Sequence, residues 1–95
     1  MIKNFKDKRT EKVAADKTPK GFPADLVKRS RIMIAVLDAA FELNDLRLPP
    51  GNRLEKLSGN RKHQHSVRIN DQWRICFEWT DTGPKDVEIV DYHKG

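Results

Sequence analysis

The spacing of hydrophobic residues changes from a helical to an extended period near the middle of the chain. Between residues 26 and 41, apolar residues recur at intervals of three, four and seven, which is the pattern of one helix face. From residue 65 onward, apolar and polar residues alternate, as in strands that bury one face. Because the helices precede the strands, this order predicts an α+β fold in which N-terminal helices pack on one face of an antiparallel sheet.

The alternating region divides into three strands joined by two turns. Turn residues at Asn70-Asp71 and at residues 81–84 separate runs over residues 65–70, 72–79 and 87–90, and residues 53–57 are a candidate edge strand. One set of side chains is expected to face the helices: Val67, Ile69, Trp73, Ile75, Phe77, Val87 and Ile89. The other set shares the opposite face: Ser66, Arg68, Arg74, Glu78, Glu88, Val90 and Tyr92, with Cys76 on the Arg74 side.

The first half of the chain contains one strong and one weak helix pattern. The strong pattern opens at residues 22–23 and predicts a helix of about five turns with Met33 and Phe41 in the core. The weak pattern covers residues 7–16. Since residues 7–21 carry five cations and little apolar surface, flexibility of this segment is the alternative to a short helix there. Residues 1–6 are a candidate short strand, and Pro49-Pro50-Gly51 predicts a loop.

The length and composition limit the kind of protein that the chain can be. Ninety-five residues make a single domain, here residues 1–95. The longest apolar run has six residues (32–37), so no membrane span is expected, and the first residues lack an apolar signal segment, which predicts a cytoplasmic protein. One cysteine excludes an internal disulfide. The scattered acids and isolated glycines predict no metal and no cofactor.

Positive charge is concentrated in two segments of the chain. Residues 1–20 and residues 49–75 each carry a net charge of +4, whereas residues 76–95 carry −3 and the whole chain +5. Such cationic segments attract polyanions, among which the phosphate backbones of nucleic acids are the commonest. A solvated surface selected for solubility is the alternative.

Arg74 lies in the most apolar strand, where an unpaired buried charge is costly. It therefore needs solvent, a carboxylate or a ligand, and pairing with Glu78 or Glu88 across the sheet is the structural alternative. The last strand ends in Asp-Tyr-His at residues 91–93. An imidazole suits proton transfer at cellular pH, and a guanidinium presents a planar fork to phosphate oxygens. The combination predicts a metal-independent ribonuclease that uses the 2′-hydroxyl of its substrate.

Three runs of residues closely resemble the HigB-type (GraT-like) toxins of the RelE/ParE superfamily, which belong to bacterial type II toxin–antitoxin systems. The runs are PPGNRLEKLSGNR at 49–61, QHSVRINDQWRICF at 64–77 and VEIVDYH at 87–93. The resemblance implies a RelE-like microbial-ribonuclease fold and cleavage of mRNA in the decoding site of the ribosome. It also implies a helix-turn-helix antitoxin (HigA- or GraA-like) that neutralises the toxin and alone contacts operator DNA.

The resemblance also implies roles for individual residues. Arg74 falls on the arginine of the family's Trp-Arg motif, and Asp91, Tyr92 and His93 fall on its closing catalytic motif. A histidine and a lysine that serve the family's site fall here on Glu55 and Ser58, which predicts modest activity. The missing cation or base is then expected from Lys56, Arg61, His63 or His65. His93 and Glu55 are the alternatives for removing the 2′-hydroxyl proton. The candidate RNA-binding residues are Arg53, Lys56, Arg61, Lys62, His65 and Arg68.

Two other classes of function remain as alternatives. The superfamily includes toxins that poison DNA gyrase, but these generally lack a set such as Arg74 with Tyr92 and His93. A non-enzymatic RNA- or ribosome-binding protein would use the cationic segments alone, and it would leave the acid–base groups of the last strand unexplained.

Overall fold

The chain folds into two helices packed on one face of a four-stranded antiparallel sheet. The computed structural model describes residues 1–92, so His93 lies outside the described residues. Helix α1 spans Lys8–Ala14 and helix α2 spans Val27–Ala39. The strands follow as β1 (Glu55–Lys56), β2 (His65–Arg68), β3 (Trp73–Thr80) and β4 (Gly83–Asp91), and their order across the sheet is β1-β2-β3-β4.

Short 3₁₀ turns connect these elements. They cover Ala24–Leu26, Leu43–Arg47, Pro50–Asn52 and Gly59–Arg61. No helix within residues 1–92 is long and apolar enough to cross a membrane.

The register of the sheet confirms the predicted division of its two faces. Val67 pairs with Ile75, and Ile75 pairs with Ile89, and all three are buried beneath the helices. Because side chains alternate along a strand, the neighbouring rows point to the other face. One such row contains Arg68, Arg74 and Val90, and the next contains Glu55, Ser66, Cys76 and Glu88.

The N-terminal residues run beside the outer edge of β4. The amide of Lys6 donates to the carbonyl of Val87, and the amide of Val87 donates to the carbonyl of Asn4, which forms a parallel bridge around Phe5. Gly83 has a φ of 128°, and a Cβ there would collide with the carbonyl of Met1, so only glycine permits this close approach. The candidate strand at residues 1–6 is therefore a single bridge.

Helix α1 forms where the weaker pattern predicted it. Asp7 caps its N-terminus through a 2.9 Å hydrogen bond from the amide of Thr10, and Thr10 and Val13 are buried. Arg9 donates to the carbonyl of Ile89 at 2.6 Å. The flexibility of residues 7–21 stays a prediction.

Helix α2 is shorter than predicted, and the prediction for Phe41 is wrong. Met33 is buried as expected, but α2 ends at Ala39 and the backbone of Ala40 becomes extended. The Phe41 side chain, expected in the core, is 92% exposed. Phe41 and Glu42 instead donate their amides to the carboxylate of Asp45, which starts the 3₁₀ turn Leu43–Arg47.

Candidate active site

A cleft of about 370 Å³ opens on the sheet face opposite the helices. It brings together five of the residues singled out from the sequence, and the turn at residues 70–71 completes its wall. These five residues are Arg53, Glu55, Arg68, Arg74 and Tyr92. The cleft therefore joins the predicted phosphate-binding arginine to one candidate base and to the only tyrosine of the chain.

Arg74 is buried at the base of this cleft and is held by a dense set of hydrogen bonds. Its Nε donates to Ser66 Oγ at 2.8 Å, and its Nη2 donates to the carbonyl of Arg53 at 2.5 Å and to that of Ser66 at 3.4 Å. A carboxylate oxygen of Glu55 lies 3.9 Å from Nη2. These bonds engage Nε and Nη2, and the side chain, about 10% exposed, lines the cleft.

The expected alternative pairing of Arg74 with Glu78 or Glu88 is wrong. Glu78 pairs with Lys85 at 2.8 Å, and Glu88 pairs with Arg61 at 3.2 Å. Arg74 instead approaches Glu55, because β1 adds to the β2 edge with Glu55 opposite Ser66.

The loop before β1 carries the second anchor of Arg74. Arg53 adopts a left-handed conformation with φ 46° and ψ 59°, immediately after the 3₁₀ turn Pro50–Asn52. The buried side chain of Asn52 donates to the carbonyls of Leu46 and Leu48, at 3.4 and 3.2 Å, which fixes the loop from inside. The loop thereby aims the Arg53 carbonyl at Arg74.

Tyr92 borders the cleft and is protonated at neutral pH. Its phenol oxygen lies 3.6 Å from the sulfur of buried Cys76, and the guanidinium carbon of Arg74 lies 6.0 Å from its ring centroid. Burial, reinforced by the contact with Cys76, raises the pKa of Tyr92 to about 12. Burial also raises the pKa of the Cys76 thiol, so at neutral pH neither group is an anion.

Arg68 lines the end of the cleft formed by the β2–β3 turn, whereas Asp91 pairs with Trp73 and so lies on the other side of its strand from Val90, the partner of Arg74. The side chain of Gln72 donates a 3.1 Å hydrogen bond to Asp91 Oδ2. The backbone carbonyl of Gln72 also accepts a 2.8 Å hydrogen bond from the amide of Tyr92. Arg68 donates to the carboxylate of Asp71, which draws its guanidinium toward the turn. Gln72 thus anchors the end of β4, a role that the alternating pattern of the sequence does not reveal.

Arg61 lies on the same face, beside the Arg74 cleft. Its Nη1 donates to Gln64 Oε1 at 2.9 Å and to Glu88 Oε1 at 3.2 Å. Burial, the largest single effect, lowers the pKa of Arg61, but the hydrogen bond to Glu88 and the electrostatic effects of Cys76, Glu88 and Tyr92 together raise the pKa above its ordinary value. Lys6 Nζ lies 3.9 Å from the same Glu88 oxygen. Lys6 was not among the named candidates, because its position beside Glu88 depends on the N-terminal bridge to β4.

Among the RNA-binding candidates, His65 lies on the opposite face of the sheet from the cleft. Its ring stacks on buried Phe77 with the centroids 6.3 Å apart. Burial, together with the nearby charges of Lys56 and Arg47, lowers the pKa of His65. Lys56 pairs with His65 across β1 and β2, and its Nζ donates to the carbonyl of Lys62 at 3.3 Å. Lys56 and His65 therefore lie apart from Arg74, since alternation puts them on the other side of their strands.

Comparisons with known proteins agree with this geometry. A family model described as "RelE-like toxin of type II toxin-antitoxin system HigB" matches residues 3–93. Toxin HigB-1 of Vibrio cholerae serotype O1 is 42% identical over 82 residues, which cover 85% of this chain and 86% of that protein. Endoribonuclease HigB of Proteus vulgaris is 29% identical over 93 residues, which cover 98% of this chain and all (100%) of that protein.

Solved structures confirm the predicted fold. A YafQ mutant from E. coli superposes with a TM-score of 0.64 at 17% identity, covering 99% of this chain and 94% of that chain. YafQ from E. coli strain BL21(DE3) superposes with a TM-score of 0.61 at 14% identity and the same coverage. The family model spans residues 3–93 and so includes every residue that lines the cleft around Arg74. The chain therefore belongs to the HigB family of RelE-like toxins of type II toxin–antitoxin systems.

Proposed function

We propose that the chain is a ribosome-dependent, metal-independent endoribonuclease that cleaves mRNA and so inhibits translation and growth. The observation that carries this proposal is the cleft in which the guanidinium of Arg74 meets the carboxylate of Glu55 and the phenol of Tyr92. The name of the Proteus relative, Endoribonuclease HigB, supports the same reaction.

In the proposed reaction, Arg74 binds the scissile phosphate. The rigidly held guanidinium would stabilise the charge that builds up on the phosphate oxygens as the 2′-oxygen attacks. Since a donor that is already oriented needs no reorganisation during the reaction, the hydrogen bonds from Arg74 to Ser66 and Arg53 support catalysis indirectly.

A base must remove the 2′-hydroxyl proton while an acid protonates the leaving 5′-oxygen. Glu55, more than half exposed and 3.9 Å from Arg74, is one candidate base, and His93 is the other. The attack forms a bond from the 2′-oxygen to phosphorus and breaks the bond to the 5′-oxygen, leaving a 2′,3′-cyclic phosphate. Tyr92, protonated because its pKa is raised to about 12, donates a hydrogen bond or its proton to the leaving side.

The surrounding residues position the substrate and the chain end. Arg53 and Arg68 on the rim of the cleft would contact neighbouring phosphates without reading sequence. Asp91, bonded to Gln72, holds the end of β4 and with it Tyr92. Lys56 and Lys62, which lie apart from the cleft, would contact ribosomal RNA.

Membership in a type II toxin–antitoxin family implies an antitoxin partner. We infer that this partner is a helix-turn-helix protein that neutralises the toxin and binds operator DNA itself. We infer that the chain acts on the ribosome in the cytoplasm. The ribosome can orient the mRNA for in-line attack, so the small domain does not have to position its substrate alone.

The proposal is tested by primer extension on mRNA in a translating extract. The wild-type chain is expected to produce new mRNA 5′ ends, and Arg74→Ala is expected to produce none. Arg29→Ala, which removes an exposed arginine from α2 on the helical side, is the matched control and should cleave like the wild type. Growth arrest by the wild type without new mRNA ends would contradict the proposal. It would favour the alternative that the chain poisons DNA gyrase.

A further inference from the structure

Three clefts form one groove across the face of the sheet that lies opposite the helices. The Arg74 cleft shares Tyr92 with a neighbour of about 360 Å³, and that neighbour shares Arg61 with a third cleft of about 290 Å³. The third cleft is lined by Lys6 and His63 in addition to Arg61. The groove therefore leads from the Arg74 site, past Tyr92, to a second group of cations.

The second group is assembled by the tertiary structure. Phe5 packs toward the core, so Lys6, the next residue along the N-terminal segment, points to the groove side and reaches Glu88. Arg61 reaches the same Glu88 oxygen from the 3₁₀ turn Gly59–Arg61. Two cations thus share one carboxylate, which leaves an excess of positive charge at this corner.

The strand positions that carry the two sites are neighbours on one face of the sheet. Glu88 lies two residues along β4 from Val90, which pairs with Arg74. Two residues of a strand span about 6.6 Å. The backbone of Glu88 therefore lies one two-residue step from the position opposite Arg74, which places this corner beside the Arg74 site.

We propose that the Lys6–Arg61–His63 corner binds the phosphate next to the scissile one in a single-stranded RNA, so that the substrate lies along the groove with Tyr92 between the two phosphates. The proposal rests on the proposed ribonuclease function and adds a second subsite to it. The carboxylate of Glu88 competes with the RNA for these cations. It pairs with Arg61 and Lys6 until an RNA phosphate replaces it. A purely structural ion pair would not compete with RNA.

The subsite can be measured without cleavage and without the ribosome. The probe is a fluorescent hexanucleotide RNA methylated at every 2′-oxygen, and its affinity for the full chain is followed by anisotropy over a range of salt concentrations. For single strands, the slope of log affinity against log salt becomes shallower by about 0.7 for each phosphate that the protein no longer neutralises. We expect this change in Lys6→Gln and an unaltered slope in Lys28→Gln, which removes an exposed lysine from α2.

Two further variants sharpen the test. Glu88→Gln should bind the hexanucleotide more tightly than the wild type, because it frees both cations. In a set of probes with one neutral methylphosphonate linkage each, the wild type should be sensitive at two adjacent linkages, and Lys6→Gln should lose sensitivity at one of them. Thermal unfolding of each variant checks that the fold is retained.

Other results would overturn the subsite. These are an unchanged salt slope for Lys6→Gln, weaker or equal binding by Glu88→Gln, or a wild type that does not bind the probe. Absence of mRNA cleavage by the wild type in a translating extract would instead refute the proposed function. The two failures are therefore separable.

Discussion

The Nε of Arg74 donates a 2.8 Å hydrogen bond to the hydroxyl of Ser66, and both side chains are buried on the site face of the sheet. Ser66 pairs with Cys76 across β2 and β3, so Ser66 and Arg74 are diagonal neighbours on one face. A small hydroxyl at this position both satisfies a buried cation and leaves space for the guanidinium. Ser66 is thus a positioning residue that acts through Arg74.

Replacing Ser66 by alanine should lower both stability and activity. A hydrogen bond to a charged group contributes about 1.5–3 kcal/mol, and its loss leaves a buried donor unsatisfied. We expect Ser66→Ala to lower the free energy of unfolding by this amount in urea titrations and to reduce mRNA cleavage at saturating substrate. Ser30→Ala is the matched control, because Ser30 is equally buried and its hydroxyl has no partner within residues 1–92. Equal losses in both variants would contradict the role of Ser66.

Substitutions at Arg53 should separate its backbone role from its charge. A non-glycine residue in the left-handed region costs about 1–2 kcal/mol, and a β-branched residue more. Arg53→Gly is expected to leave the free energy of unfolding within about 1 kcal/mol of the wild type. Glycine relieves backbone strain in the folded state, but it also raises the conformational entropy of the unfolded chain. Arg53→Val should be clearly less stable in the same urea titration. Both should weaken RNA binding, and a valine variant as stable as the glycine variant would contradict the left-handed conformation.

The titration of Tyr92 can be followed directly because the chain has one tyrosine. The near-ultraviolet absorbance of tyrosinate should rise with a midpoint near 12, where burial places the pKa, and the urea-unfolded chain should titrate near 10. Between these values the unfolded chain loses the proton first, so the folded state should lose stability as the pH rises from about 10 to about 12. A folded-state midpoint near 10 would contradict the partial burial of Tyr92 and its contact with Cys76.

The contact of α1 with the sheet gives a test of whether residues 7–21 are flexible. The buried hydroxyl of Thr10 accepts a 3.0 Å hydrogen bond from the amide of Ile89 in β4. Thr10→Val keeps the shape but leaves that amide without an acceptor, which should lower the free energy of unfolding by about 1–3 kcal/mol. Thr10→Ser keeps the hydroxyl and should cost less. If Thr10→Val unfolds at the same urea concentration as the wild type, α1 is undocked and the flexible alternative is favoured.

Sequence reasoning was most reliable where a local backbone period decides the outcome. The alternation from residue 65 onward correctly separated Ile75 from Arg74, because successive side chains of a strand must point to opposite faces. The same rule places His65 with Val67 rather than with Arg68, so the position of His65 on the face away from the cleft follows from the alternating pattern. The prediction that Phe41 lies in the core was wrong for another reason. Helix α2 ends at Ala39, and the spacing of apolar residues does not mark that end.

The order of residues along the chain was enough to predict the α+β succession of elements, the two faces of the sheet and the arginine-bearing strand at the centre of the site. Only the folded molecule shows that Glu55, rather than Glu78 or Glu88, lies beside Arg74. The same holds for the contact of Arg74 with the Arg53 carbonyl and for the pairing of Lys6 with Glu88 in the neighbouring corner. The two kinds of feature differ in how far apart along the chain the interacting residues lie. Alternation and helical period arise from the geometry of neighbouring residues, whereas these contacts depend on an irregular loop and an N-terminal segment that join the sheet across long stretches of chain.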